Sequence, residues 1–285
     1  MLKIATVATH NDGYLPALNS ICQKNKCSLD IIGFGEKWGG WDWRTDKIID
    51  YLRNCDMSDI VMMIDGFDVL VLASPNEILQ KFKSMKCQVL FSCSHCSRGQ
   101  PDNNSFTYQN IAFPSVKKYF QSNKDYILNA GTVMGYSKQL LQLYLQIRIN
   151  QQQMNITDDQ ILLNKMDLSF LRYNIDFDSK IFWIWEIDQI KDYGNMLIRN
   201  ETYSHDRVKY NRNRIMFSNG NMPCVVHGIN NRNMDEICEK NNVYLLNYRP
   251  KEIQQKDLRN MVQNTRYVMY SLPLLYIAYK YLKRF

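Results

Sequence analysis

Residues 60–64 read Ile-Val-Met-Met-Ile, with Asp59 before them and Asp65 after. The run is apolar on both faces, as a strand sandwiched between helices is. Its neighbours extend that reading. Residues 3–9 (KIATVAT) and 29–35 (LDIIGFG) have strand character and enclose a helix-like LPALNSICQKN segment. Residues 45–55 (TDKIIDYLRNC) space their apolar side chains helically, with Thr45 as the predicted N-cap. Ser74, Pro75 and Glu77 open a further helix, and QVLFSC (88–93) is a further strand. This alternation predicts an α/β layer architecture with a largely parallel sheet.

The length of 285 residues accommodates one large domain or two small ones. A hydrophobic share of 45% against 22% charged residues is that of a globular chain. The formal charge of +7 favours anionic ligands such as nucleotide phosphates. Nucleic acid is not an expected partner, because the basic residues are scattered and no RNP, zinc-finger or helix-turn-helix pattern occurs. The chain opens on a strand-like segment without an apolar signal-peptide core, so its eight cysteines are expected to be reduced thiols. CSHC at 93–96 is a single Cys-x-x-Cys with no second pair at zinc spacing. The sequons at Asn103, Asn155 and Asn200 matter only in a secretory lumen. The last residues, YVMYSLPLLYIAYKYLKRF, are apolar for about 15 positions and broken by Pro273. A spanning helix needs about 20. The tail is read as a docked or membrane-surface helix in preference to an anchor.

Chemistry is concentrated at the end of the apolar run. Asp65 and Asp68 flank Gly66 and Phe67. Ligands of open α/β sheets bind at the carboxyl ends of strands, and two carboxylates two residues apart can face one Mg²⁺ or Mn²⁺. The alternative is a turn in which one aspartate caps and the other is solvated. His227 ends a second apolar strand, MPCVVHGIN; imidazole ligates Mn²⁺-type ions, although a lone histidine there also suits a structural hydrogen bond. Asp158 and Asp159 begin a helix behind Thr157, where acidic residues also favour the helix dipole. EKWGGWDWRTDK (36–47) places three tryptophans and two glycines in one predicted loop, a composition suited to sugar or base recognition.

Taken in order, GEKWGGWDW, IVMMIDGFDVLVLASPNEIL, VLFSCSHC, YILNAGTVMGY, TDDQILL and PCVVHGIN resemble the glycosyltransferase domain of the procollagen lysyl hydroxylase family, which has stand-alone relatives in giant viruses. The likeness runs from about residue 2 to 232. It implies a GT-A-like α/β fold with a mixed, mostly parallel sheet over residues 1–232, followed by a helical extension over 233–285 with the apolar, basic tail. It implies a UDP-sugar donor, most simply UDP-glucose, and Mn²⁺ held by Asp65, Asp68 and His227. Phe67 stands where the animal enzymes carry a tyrosine that stacks on uracil, keeping the ring and losing the hydroxyl. Trp38 and Gly39 match the nucleotide-side loop, and Gly228 and Asn230 the segment after the histidine. Asn129 falls in a turn beside the sugar, and Asp158 and Asp159 at a helix start facing donor sugar and acceptor.

Two stretches depart from the family pattern. Its cysteine-tryptophan-proline becomes Cys96-Ser97-Arg98, and its histidine-glycine-asparagine-glycine becomes His227-Gly228-Ile229-Asn230. The expected activity is transfer of glucose to galactosyl-hydroxylysine of a collagen-like glycoprotein. The rivals are galactose transfer to hydroxylysine, another acceptor, or a non-catalytic nucleotide-sugar-binding module. A dehalogenase-like phosphatase fits poorly, since it presents D-x-D on its first strand. A cytoplasmic or virus-associated location with peripheral membrane contact is expected.

Overall fold

The computed structural model describes residues 1–94, 126–185, 209–217, 219–229 and 234–243. All of them belong to one compact unit, Met1–Glu186 with Val208–Tyr248. The tail, Asn230, the 96–98 segment and the sequons at Asn103 and Asn200 lie outside the described residues.

The central sheet has six strands: β1 (Leu2–Val7), β2 (Leu29–Ile32), β3 (Ile60–Ile64), β5 (Val89–Ser94), β6 (Ile127–Tyr136) and β7 (Tyr173–Ile175), in the order β2-β1-β3-β6-β5-β7. A three-stranded sheet joins β4 (Val69–Val71), β11 (Val225–His227) and β8 (Phe182–Ile184) in the order β4-β11-β8. A short hairpin pairs β9 (Lys209–Asn211) with β10 (Arg214–Met216). The helices are α1 (Leu15–Lys24), α2 (Trp41–Arg53), α3 (Pro75–Ser84), α4 (Ser137–Met154), α5 (Asp159–Lys165) and α6 (Asp235–Lys240). Among the described residues, no helix is long and apolar enough to cross a membrane.

The apolar run of β3 has a direct packing reason. Ile60, Met62 and Ile64 enter one buried core with Leu15, Leu18 and Ile21 of α1 and Ile78 and Phe82 of α3. Val61 and Met63 enter the opposite core with Ile48 and Leu52 of α2 and Leu140 and Leu143 of α4. Successive strand residues face opposite ways, so a strand covered on both faces has no position for a polar side chain. Each such side chain contributes about 1.5–3 kcal/mol on burial. Met234, Ile237 and Cys238 join the first core, and the Tyr14 hydroxyl donates to Asp235 Oδ1 (2.8 Å) while accepting the Met234 N–H (2.7 Å). The compact unit therefore continues past residue 232.

The central sheet is mixed and mostly parallel, as expected: β1 runs parallel to β2 and β3 and β5 parallel to β7, with β6 antiparallel to both β3 and β5. Two expectations are corrected. Helix α2 begins at Trp41 and not at Thr45. Its N-cap is Gly40, at φ 96, whose carbonyl accepts the Arg44 N–H at 3.0 Å. Glycine reaches that conformation without strain, and the Thr45 hydroxyl instead donates to the Trp41 carbonyl inside the helix (3.0 Å). Trp41 and Trp43 thus lie on a helix rather than in a loop. Finally, Asn129 sits within strand β6 and not in a turn. Opposite Phe91 and Ser92 the register jumps from Val133 to Asn129, leaving Ala130–Thr132 as a bulge.

Among the described residues, Cys22, Cys27, Cys55, Cys87, Cys224 and Cys238 are buried, unbridged thiols.

Helix α3 is tied to the hairpin by Glu77. Burial works against its charge, but Arg214 grips both carboxylate oxygens (2.9 and 3.1 Å) and Lys81 adds a contact at 2.8 Å, holding the carboxyl at about 2 against an ordinary 4.5. A lowered carboxyl pKa stabilises the fold above the unfolded value, and that contribution is lost as pH falls through the folded one. Glu77→Gln is expected to lower stability at pH 7 by about 1 kcal/mol after allowance for solvent screening. Denaturant titrations should show the gap to wild type narrowing as pH falls from about 4.5 to about 2. A gap independent of pH would contradict this origin.

Candidate metal and donor site

Asp65–Asp68 is the whole link between β3 of the large sheet and β4 of the small one. Backbone hydrogen bonds fix it to three separate segments. Asp65 N–H donates to Gly131 O (2.8 Å), Tyr14 N–H to Phe67 O (2.7 Å) and Gly228 N–H to Asp68 O (2.8 Å). His227 reaches the link through sheet register: β11 pairs antiparallel with β4, setting His227 opposite Val69, the residue after Asp68. The imidazole Nε2 lies 3.3 Å from Asp68 Oδ1 and 3.8 Å from Asp65 Oδ2. One ligand atom from each of the three residues falls within 4.8 Å of the others. His227 is buried, while both carboxylates are half-exposed, so the cluster opens to solvent on its acidic side.

Two carboxylate oxygens and an imidazole nitrogen form a donor set suited to Mn²⁺ or a similar divalent cation. Gly131 supports the same reading. A Cβ built there would overlap both the Asp65 carboxylate and the His227 ring. The bulge of β6 therefore brings bare backbone against the cluster, and only glycine leaves it open. The residues present fit a bound divalent cation.

The acidic pair at α5 divides into two roles. Asp158 is the N-cap, with Oδ1 accepting the Ile161 N–H at 3.0 Å. Asp159 is buried and ion-paired to Arg44 Nη1, while Arg44 Nη2 donates to Asp65 Oδ1 at 2.8 Å. Burial works against the charge of Arg44, but Asp159 and then Asp65 outweigh it and push the guanidinium above its ordinary value. Burial raises the Asp159 carboxyl, with Arg44 opposing. Arg44 is 6% exposed and joins α2, α5 and the β3–β4 link.

Asn129 supports the bulge. Its Nδ2 donates to Ser94 Oγ (3.0 Å), and its Oδ1 accepts the Gly131 N–H (2.9 Å). Both ends of the amide are engaged by the protein, which makes Asn129 a support of Gly131. Phe67 is half-buried, with the exposed His10 ring 5.4 Å away. Trp38 stands edge-on to Trp41 (5.6 Å) and Trp43 (5.4 Å). Trp38 and Trp41 are each 45% exposed, a large apolar area to leave in water without a ligand. The Arg44 guanidinium lies 5.8 Å over the Trp41 ring, connecting the aromatic group to the carboxylates. Gly39 has a packing reason of its own, because a Cβ there would meet the Trp43 ring within 2.7 Å. Gly228 enters through its backbone N–H alone, and Asn230 lies outside the described residues.

Sequence reasoning missed Arg44 and Gly131. Gly131 carried a faint signal as the glycine of the Asn-Ala-Gly triplet. Arg44 carried none, since its carboxylate partners are 21 and 115 positions away.

The PLOD GT domain family model matches residues 1–257. The multifunctional procollagen lysine hydroxylase and glycosyltransferase LH3 of Homo sapiens is 26% identical over 250 residues, covering 80% of this chain and 29% of that protein. The chain thus spans under a third of the length of LH3. An uncharacterized protein, R699, of Acanthamoeba polyphaga mimivirus is 22% identical over 195 residues, covering 64% of this chain and 38% of that one. Among solved structures, a glycosyltransferase involved in glycosylation of the major capsid of PBCV-1 aligns with a TM-score of 0.45 at 10% identity, over 85% of this chain and 98% of that one. With the family model matched over residues 1–257, the chain belongs to the PLOD GT domain family.

Proposed function

We propose that this chain is a Mn²⁺-dependent, GT-A-type glycosyltransferase that moves glucose from UDP-glucose onto galactosyl-hydroxylysine of collagen-like protein. The observation that carries the reading is the convergence of Asp65, Asp68 and His227 around the space that Gly131 keeps open. Asp65, Asp68 and His227 would hold the cation, which would supply positive charge to the diphosphate leaving group. The chain's own residues supply the rest. Phe67, in the middle of the link, offers a ring face to the uracil, and Trp38 closes the nucleotide side. Asp158 is the carboxylate of the acidic pair that reaches solvent, and it orients the acceptor hydroxyl. Asp159, being buried, acts through Arg44. Asn129 holds the Gly131 bulge beside the donor sugar.

The test is a donor screen that measures UDP release from UDP-glucose, UDP-galactose and other UDP-sugars, with and without a galactosyl-hydroxylysine collagen peptide. The expected result is release from UDP-glucose that the peptide accelerates and a chelator abolishes. Preferential use of UDP-galactose with an unglycosylated hydroxylysine peptide would overturn the donor and acceptor. Absence of release with every donor would overturn the transferase reading.

Trp38→Ala is expected to raise the apparent KM for the UDP-sugar about 10-fold, the loss of roughly 1–1.5 kcal/mol of aromatic contact. Steady-state kinetics check this, and an unchanged KM would make Trp38 part of the Trp41–Trp43 packing only.

A further inference from the structure

Asp65 divides its two oxygens between different partners. Oδ1 accepts from Arg44 Nη2 at 2.8 Å, whereas Oδ2 faces His227 Nε2 at 3.8 Å and lies against Gly131. The arginine that makes this division is nearly sequestered from water and is held from behind by the buried Asp159. Its fork matches a carboxylate on each side, a geometry that a lysine ammonium does not reproduce. Asp65, Asp68 and Asp159 against Arg44 leave two formal negative charges, which one divalent cation balances.

We propose that Arg44 is a positioning residue for the cation site: it confines Asp65 to one-oxygen coordination through Oδ2 and couples that ligand to the first turn of α5 through Asp159. Partners that orient a metal ligand from behind affect affinity about as strongly as many ligands do, commonly 10–100-fold. The inference rests on the cation reading of Asp65, Asp68 and His227. It adds that ligand strength at Asp65 is set from α2 and α5, elements that contribute no ligand themselves.

Arg44→Met alone would strand the Asp159 carboxylate in the interior and unfold part of the chain. The informative variant is therefore Arg44→Met/Asp159→Asn, which removes the buried charges together. Mn²⁺ binding is read from the electron paramagnetic resonance of free Mn²⁺, alongside thermal unfolding without metal. Wild type is expected to bind one Mn²⁺. The double variant is expected to unfold near the wild-type temperature yet bind Mn²⁺ at least about 10-fold more weakly. Arg44→Lys keeps the charge and loses the fork, and is expected to weaken binding several-fold with the fold intact. Wild-type Mn²⁺ affinity in a folded Arg44→Lys or double variant would overturn the positioning role and leave the cation reading standing. Failure of wild type to bind Mn²⁺ would overturn both.

Discussion

Replacing Asp68 with alanine is expected to lower Mn²⁺-dependent UDP release about 1,000-fold, equivalent to roughly 4 kcal/mol of lost charge stabilisation. The carboxylate stands 3.3 Å from His227 Nε2 and is half-exposed. It contributes no core packing, so the fold should lose no more than about 1 kcal/mol. The backbone of Asp68 keeps its place, because its carbonyl accepts the Gly228 N–H at 2.8 Å whatever the side chain. Turnover at saturating Mn²⁺, measured beside a thermal unfolding curve, separates lost chemistry from lost structure. Turnover within a few-fold of wild type would remove Asp68 from the cation site.

A single methyl group at residue 131 is expected to do comparable damage. In Gly131→Ala the new Cβ collides with the Asp65 carboxylate and the His227 ring. The strand cannot move away easily. The Gly131 carbonyl accepts from Asp65 N–H at 2.8 Å, and its own N–H is held by Asn129 Oδ1 at 2.9 Å. The collision is relieved instead by rotating the two side chains, which destroys their convergence. Overpacking of this kind costs about 1–3 kcal/mol of stability, a size that leaves many domains folded. Mn²⁺ affinity should fall about 100-fold or more, as for loss of a ligand's geometry. Retention of wild-type Mn²⁺ affinity in Gly131→Ala would show that the bulge is not part of the site.

What the sequence made legible was local. Ile60–Ile64 announced a strand covered on both faces, and alternate residues do enter opposite cores. The aspartates and His227 stood out because each closes an apolar run, and strand register brings the two ends together. What stayed hidden depends on distant partners or on backbone freedom. Thr45 looked like a cap by residue type, but Gly40 starts the helix because it alone tolerates the required φ of 96. The antiparallel course of β6 and its bulge follow from pairing with β3 and β5, which no local spacing encodes. Asp159 looked like a dipole-favouring helix start equivalent to Asp158. It differs because Arg44, 115 positions earlier, meets it in the interior.

The most direct test of a cation-dependent UDP-sugar site is calorimetric titration of UDP into the protein with Mn²⁺ and with a chelator. UDP is expected to bind about 10-fold or more tightly with Mn²⁺ present, because a bound cation supplies the charge that the diphosphate meets. Asp68→Ala is expected to lose that difference. Equal UDP affinity with and without Mn²⁺ in wild type, or an undiminished Mn²⁺ effect in Asp68→Ala, would contradict the account.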